Sequence, residues 1–309
     1  MRTGQKIDSA KGNRTTRKVL VWLGVLMVFG ILLSCVLRSP GSGKHMGEVE
    51  PPTGREETPS GVYVGHFSGG TYDGQGTFTF NTGGSYTGAW ASGELSGSGT
   101  MLYPAVGEYS GSFVAGVRSG QGTFSWASGE ILSCTWENDL PSGEGRVTYK
   151  DGSTLVGTFS NGSIVTGTLT CTNEDGTYAY DVSAGKLSHG VSIVFASGET
   201  YQGTYSGHTL TGKGRIIYSS GDRYDGSLSD GMKSGQGTYT WKSGAHYVGN
   251  WSDDKMEGAG TYYYTSLATG KRLIGAFKNN KPDGTCTYFT DAQAHYTTVW
   301  SGGKCRSIT

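Results

Sequence analysis

The chain has 309 residues, 54 of them glycine, with 12% aromatic residues and a formal net charge of +0. Glycine this frequent without a Gly-X-Y period excludes collagen, and the aromatic content argues against simple disorder. A neutral charge balance gives no electrostatic reason for a nucleic-acid partner.

Met1 to Lys18 is polar and basic, with six Lys/Arg against Asp8. Val19 to Leu37 then runs 19 residues without a charge. About 20 apolar residues in a helix cross a bilayer core of ~30 Å, so this stretch is predicted to be one transmembrane α-helix. Two forms of it are consistent with the residues. One is an uncleaved signal anchor. The other is a cleaved lipoprotein signal, because Leu32-Leu33-Ser34-Cys35 resembles a bacterial lipobox with Cys35 as the lipidated residue. The long basic region before the stretch and the apolar Val36 and Leu37 after Cys35 favour the anchor. Six Lys/Arg precede the stretch, and Arg38, Lys44 and Arg55 follow it. That bias places the N-terminus in the cytoplasm and everything after residue 37 on the other side. Residues 38–60 carry Pro40, Pro51, Pro52 and Pro59 with little apolar content, and read as a flexible linker.

From residue 61 to 309 one pattern repeats. Tyr224, Gly226, Leu228, Gly231, Gly235 and Gly237 set it out, and the same places are filled 23 residues earlier and later. Tyr247, Gly249, Trp251, Gly258 and Gly260 are one such set; Tyr86, Gly88, Trp90, Gly97 and Gly99 are another, and Tyr109, Gly111, Phe113, Gly120 and Gly122 a third. Units start at residues 63, 86, 109, 132, 155, 178, 201, 224, 247, 273 and 296, about ten units plus a half unit, with a three-residue insertion within 265–272. A fixed period of this length marks a repeat array, which grows without one closed core. Within each unit apolar and polar residues alternate, as in Gln121, Gly122, Thr123, Phe124 and Ser125. Period two means a strand with one packed and one wet face. Each unit therefore reads as a β-hairpin. The fold class is all-β: an elongated single-layer antiparallel sheet of stacked hairpins, preceded by the one transmembrane helix. Glycines inside strands are costly, and they sit on the same face as the rings, so a ring is expected to lie across a bare cross-strand Cα. The units near 155–200 are irregular. The fifth has Thr166 and Thr168 where the glycine pair should be; the sixth has Tyr178, Tyr180, Val182, His189 and Val191. Altered stacking is expected there. The tenth has Cys286 for its second glycine.

The pattern Tyr-x-Gly-x-aromatic-x-x-Gly-x-x-x-Gly-x-Gly at 23-residue spacing resembles the MORN repeat (membrane occupation and recognition nexus). The resemblance covers about four-fifths of the chain. It implies hairpins stacked into a long curved sheet, and a non-catalytic module that scaffolds, dimerises or sits at membranes. Members are commonly cytosolic, whereas the charge bias here puts the repeats outside.

Other chemistry is scarce. Five cysteines, Cys35, Cys134, Cys171, Cys286 and Cys305, lack Cys-x-x-Cys spacing, which excludes zinc and thioredoxin-like readings. They read as buried free thiols, or with Cys286 and Cys305 paired in an oxidising compartment. Residues 207–214 approach a P-loop but lack the Ser/Thr after Lys213 and are simply a repeat turn. No metal, cofactor or catalytic residue is expected. The leading functional reading is a membrane-tethered scaffold for a protein partner, with self-association included. Two alternatives are recognition of a cell-wall polysaccharide by the aromatic ladder, and phospholipid binding by the basic C-terminal half. The latter rests on Lys213, Arg215, Lys233, Lys242, Lys255, Lys271, Arg272 and Lys278.

Overall fold

The structure, a computed structural model, describes residues 53–206, 209–264, 270–291 and 293–309. The expected helix over 19–37, its anchor and Cys35 lie outside the described residues. Among the described residues no helix is long and apolar enough to cross a membrane, and every element is a β-strand.

The chain divides into two compact units, residues 53–171 with 181–187 and residues 172–180 with 188–309. The first contains β1 (Gly54–Thr58), β2 (Gly61–Ser68), β3 (Thr71–Phe80), β4 (Ser85–Ala91), β5 (Glu94–Tyr103), β6 (Gly107–Val114), β7 (Val117–Trp126), β8 (Ile131–Glu137), β9 (Leu140–Thr148), β10 (Thr154–Ser160) and β11 (Ser163–Asn173). β12 (Gly176–Ser183) and β13 (Lys186–Phe195) stand where the division falls. The second unit continues with β14 (Thr200–Ser206), β15 (Thr209–Ile217), β16 (Arg223–Ser229), β17 (Met232–Thr240), β18 (His246–Ser252), β19 (Lys255–Tyr263), β20 (Arg272–Lys278), β21 (Lys281–Phe289), β22 (His295–Ser301) and β23 (Lys304–Ile308). In each unit the ladders are antiparallel and join chain neighbours, and the substantial contacts follow the same order, so each is a single layer.

The array begins earlier than the sequence pattern indicates. Residues 54–58, expected as linker, form β1 and pair with β2 from Gly54↔Gly65 to Thr58↔Gly61. This strand has one neighbour only, so it needs no ring, and its Arg55–Glu57 pair is of the charged kind that blunts an edge.

Hairpin turns sit where the seventh position of each unit falls. Ser92-Gly93, Asn138-Asp139, Asp230-Gly231 and Asp253-Asp254 all have φ between 48° and 82°, the left-handed pairs of a type I′ turn. The turn also ties hairpins together. Gly93, Gly116, Asp139, Gly231 and Asp254 donate their N–H groups to the carbonyls of Tyr72, Leu95, Arg118, Leu210 and Lys233 in the preceding hairpin. Where the turn residue is Asp or Asn, its side chain adds a second tie. Asp139, Asp254 and Asn280 accept from the N–H groups of Arg118, Lys233 and Met256 at 2.7–2.9 Å.

The two glycines of each pair turn out to do different work. The second one lies under the tyrosine. A methyl group on Gly237 would stand 2.5 Å from Cε2 of Tyr224, and one on Gly122 2.5 Å from Cε2 of Tyr109; Gly99 and Gly260 meet Tyr86 and Tyr247 in the same way. The first one does not lie under a tyrosine ring. Gly97, Gly120 and Gly235 have φ of 63°, 94° and 63° and sit in a β-bulge, and a methyl on Gly235 would find only the Ser227 side chain, 3.6 Å away. The expectation that a ring covers both is corrected accordingly: one glycine yields space, the other yields backbone conformation.

The fifth unit keeps its glycine contact by a different route. Its bulge is one residue shorter, so Gly157 faces Gly167 and not Thr168. Thr166 then carries no left-handed backbone, and no glycine pair is required.

Candidate functional site

The packed face is built on six tyrosines, Tyr63, Tyr86, Tyr109, Tyr201, Tyr224 and Tyr247, each at most 2% exposed. Each ring covers the glycine of the following strand, and each hydroxyl donates to the carbonyl three residues on. Tyr86 reaches Ala89 at 2.9 Å, Tyr224 reaches Ser227 at 2.8 Å and Tyr247 reaches Asn250 at 3.1 Å. The indole N–H groups of Trp90, Trp136 and Trp251 donate to the carbonyls of Gly76, Gly122 and Gly237, fixing those rings edge-on. Tyr86–Trp90 and Tyr247–Trp251 are T-shaped, with centroids 5.2 and 5.3 Å apart. Burial pushes the phenols of Tyr63, Tyr86, Tyr201 and Tyr247 up to about 12, and those of Tyr109 and Tyr224 higher still.

Two cations are set into this apolar face at the same repeat position, where other units have Leu95, Leu210 or Met256. Arg118, 6% exposed, holds Asp139 through Nε at 3.0 Å and lies 4.4 Å from the Trp136 ring centre. Lys233, 4% exposed, holds Asp254 at 3.0 Å and stands 5.5–5.9 Å from the ring centres of Tyr218, Tyr224, Tyr239 and Trp251. Laying the units in register would have revealed both, because a charge at an otherwise apolar repeat position is legible in sequence.

In two of the three units whose tyrosine position holds leucine, a cysteine fills the vacated space; in the third, Leu155, Ile164 packs beside Gly157 instead. Leu132 goes with Cys134, and Leu273 with Cys286, whose partner in the ladder is Gly275. Cys134, Cys171 and Cys286 are buried and free; Cys305 is exposed and free, so no Cys286–Cys305 disulfide is present. Burial raises the thiols of Cys134 and Cys171 to about 11, and it also pushes the Cys286 thiol upward, which disfavours the nucleophilic thiolate. Among the described residues no group of three His, Cys, Asp or Glu could hold a metal ion. Gly212 and Gly214 of the P-loop-like stretch are the bulge glycine and the ring-covered glycine on β15.

The opposite face is wet and regular. Thr77, Thr87, Thr100, Ser110, Thr123 and Ser133 stand directly opposite one another on six successive strands, β3 to β8. They hydrogen-bond in pairs at 2.9–3.3 Å. In the second unit the basic residues are dispersed. Lys233 is inside the packed face; Arg215 and Arg223 share Asp225; Arg272 lies 3.8 Å over Phe289.

One cleft opens in the packed face of the first unit. It measures about 260 Å³ and is lined by Leu95, Met101, Phe113, Pro104, Val106 and Asp139 among others.

The MORN repeat family model matches residues 63–85, 86–105, 109–131, 135–154, 201–223, 224–246, 247–268 and 274–291, more than half of the chain. No curated protein matches the sequence. Similar solved structures include the wild-type TCP10 domain of Danio rerio CPAP in complex with a peptide of Danio rerio STIL, 12% identical, covering 64% of this chain and 93% of that one at a TM-score of 0.37. A point mutant of that domain is 15% identical, with 65% and 91% covered and a TM-score of 0.29. The SAS-4 (dCPAP) TCP domain of Drosophila melanogaster, in complex with a proline-rich motif of Ana2, is 11% identical, with 69% and 99% covered and a TM-score of 0.25. The assignment rests on the eight matched repeats and on the tyrosine–glycine packing they encode: the chain belongs to the MORN-repeat family.

Proposed function

We propose that the chain is a non-catalytic scaffold, tethered to a membrane by residues 19–37, that presents its repeats outside the cytoplasm to a protein partner. The carrying observation is what the repeats do with their side chains. The six core tyrosines, the glycines beneath them and the thiols of Cys134, Cys171 and Cys286 are consumed in internal packing, and the opposite face carries in-register Thr and Ser beside exposed aliphatic residues such as Val64, Val156 and Val248. The uncharged stretch Val19–Leu37 and the six preceding Lys/Arg support the tether and its orientation. Recognition of sugars by the aromatic ladder loses the six core tyrosines, which are at most 2% exposed and offer no ring face. The phospholipid reading loses Lys233, which is buried under four rings.

The test uses the full chain with a photo-crosslinking residue replacing Thr100 on the wet face, together with protease added to intact cells. Discrete protein adducts, a second copy included, and digestion of residues 53–309 are expected. Adducts to glycan or lipid alone would overturn the scaffold reading. Protection of the repeats until the membrane is permeabilised would overturn the orientation.

A further inference from the structure

We propose that the cleft floored by Leu95, Met101 and Phe113 is the anchor point for the partner, and that it takes one apolar side chain presented between cationic residues of a protein segment. This rests on the protein-binding reading above and names the contact through which that binding would be made.

The cleft has an origin in the repeat pattern. In the preceding unit the three equivalent positions are Tyr72, Phe78 and Trp90; in the following one they are Arg118, Phe124 and Trp136. Both of those triplets fill the space. Tyr72 lies within 5.3 Å of Trp90 and 6.5 Å of Phe78 by ring centres, and Arg118 covers Trp136. Leu95, Met101 and Phe113 are each smaller than both counterparts at their position or too thin to replace them, and about 260 Å³ stays open. Drug-sized ligands occupy roughly 300–1,000 Å³, so this cleft suits a single large side chain and not a cofactor.

Its wall is apolar where the corresponding loops are polar. The loop after β5 reads Tyr103-Pro104-Ala105-Val106, whereas the corresponding loops read Asn81-Thr82-Gly83, Ala127-Ser128-Gly129 and Lys150-Asp151-Gly152. Pro104 and Val106 of that loop line the cleft. A concave apolar pocket at a surface is the form that binding hot spots take. The chemistry of the flanks follows from charge. Residues 53–171 hold four Lys/Arg against ten Asp/Glu, and since Asp139 at the cleft is ion-paired with Arg118, the acidic excess is carried by the surrounding surface. The nearest described cation, Arg118, is already held by Asp139 and Trp136. A segment carrying Lys or Arg beside its anchor is therefore favoured, and an acidic one is repelled.

The experiment uses the full chain in detergent, labelled at methionine methyl groups, and three five-residue peptides: Lys-Lys-Phe-Lys-Lys, Lys-Lys-Ala-Lys-Lys and Glu-Glu-Phe-Glu-Glu. The phenylalanine peptide with lysine flanks is expected to shift the Met101 methyl saturably while leaving Met232 and Met256 in place. The alanine peptide should do nothing at the same concentration, and the acidic peptide should bind at least tenfold more weakly. Met101→Phe, which restores the residue of both neighbouring units but carries no methyl probe, should abolish peptide binding read by isothermal titration calorimetry, without lowering the melting temperature. Val106→Lys at the wall should weaken the cationic peptide independently. No shift at Met101, equal response to the alanine peptide, or binding that survives Met101→Phe and Val106→Lys would overturn the proposal. The two readings separate cleanly. A protein adduct at Thr100 with no peptide response in the unsubstituted chain removes the anchor and keeps the scaffold; absence of protein adducts both at Thr100 and at a second photo-crosslinking position, Thr82 on the cleft, removes the scaffold.

Discussion

Gly235 and Gly237 stand two residues apart in the same strand, yet the structure assigns them opposite sensitivities. At Gly235 the constraint is backbone: φ is 63° and the nearest atom to an added methyl is 3.6 Å away. Gly235→Ala should cost about 1–2 kcal/mol, the penalty of an L-residue in the left-handed region, and Gly235→Asn less, because Asn tolerates that region. At Gly237 the constraint is space. An added methyl stands 2.5 Å from Cε2 of Tyr224, a ring that is 0% exposed, that holds the Ser227 carbonyl at 2.8 Å and that meets Trp251 at 5.5 Å. Displacing it combines overpacking, about 1–3 kcal/mol, with a lost hydrogen bond, about 1 kcal/mol, so Gly237→Ala should cost about 2–4 kcal/mol and Gly237→Asn more. Each hairpin touches its neighbours only, so amide exchange across β16 to β18 reads the loss locally, and the melting temperature should drop roughly 2–4 °C per kcal/mol. The chain itself supplies the rescue. Leu273 with Cys286 is the alternative solution to the same packing, so Tyr224→Leu with Gly237→Cys should recover most of what Gly237→Cys alone loses. If Asn is tolerated better at 237 than at 235, or if the double substitution is additive, the division of labour between the two glycines is wrong.

Replacing Lys233 by Met, the residue of the next unit at that position, should be neutral or stabilising by up to about 1–4 kcal/mol, while Asp254→Ala, which strands a cation 4% exposed, should destabilise; urea denaturation of both decides it. Raising the pH from 10 to 12 should unfold the repeats: Tyr63, Tyr86, Tyr201 and Tyr247 are held near 12 against about 10 in the unfolded chain, so the stability they contribute is complete below pH 10 and is lost as pH rises through 12. A denaturant midpoint unchanged between pH 9 and 11.5 would contradict that burial. Among the described thiols, iodoacetamide at pH 8 should label Cys305 alone in the native protein, with Cys134, Cys171 and Cys286 reacting only after unfolding, as peptide mapping would show.

The strand pattern, the 23-residue period and the tyrosine–glycine partnership are all legible in the sequence because they are one physical requirement repeated. A ring needs a bare Cα opposite it, and the register that supplies one also sets the period. What the residues alone leave hidden is conformation. Nothing distinguishes Gly235 from Gly237 in composition, since one is required by φ and the other by an atom on a different strand. The same blindness applies to Thr166 and Thr168, which look like losses of the pattern. The ladder slides by one residue in a shorter bulge, and Gly167 takes the place opposite Gly157. β1 is hidden for another reason. As an edge it carries no ring of its own, and of the signature Gly-Arg-Glu-Glu-Thr keeps only Gly54, which lies against the Phe67 ring.

The departures from the repeat are therefore informative in proportion to whether the fold answers them. Leu132 and Leu273 at the tyrosine position are answered by Cys134 and Cys286, which fill the volume the ring gives up, and Leu155 by Ile164. Arg118 and Lys233 at an apolar position are answered by Asp139 and Asp254 from the next turn, and by the rings that surround them. A lost glycine pair in the fifth unit is answered by the shorter bulge. The set Leu95, Met101 and Phe113 has no such answer. Three positions shrink together, the adjoining loop turns apolar with Pro104 and Val106, and the volume remains open. An apolar space left open at a surface is stabilised by whatever fills it from outside. That asymmetry, more than the size of the cleft, is why the partner's anchor is placed between β5 and β6 and not along the wet rows of threonine.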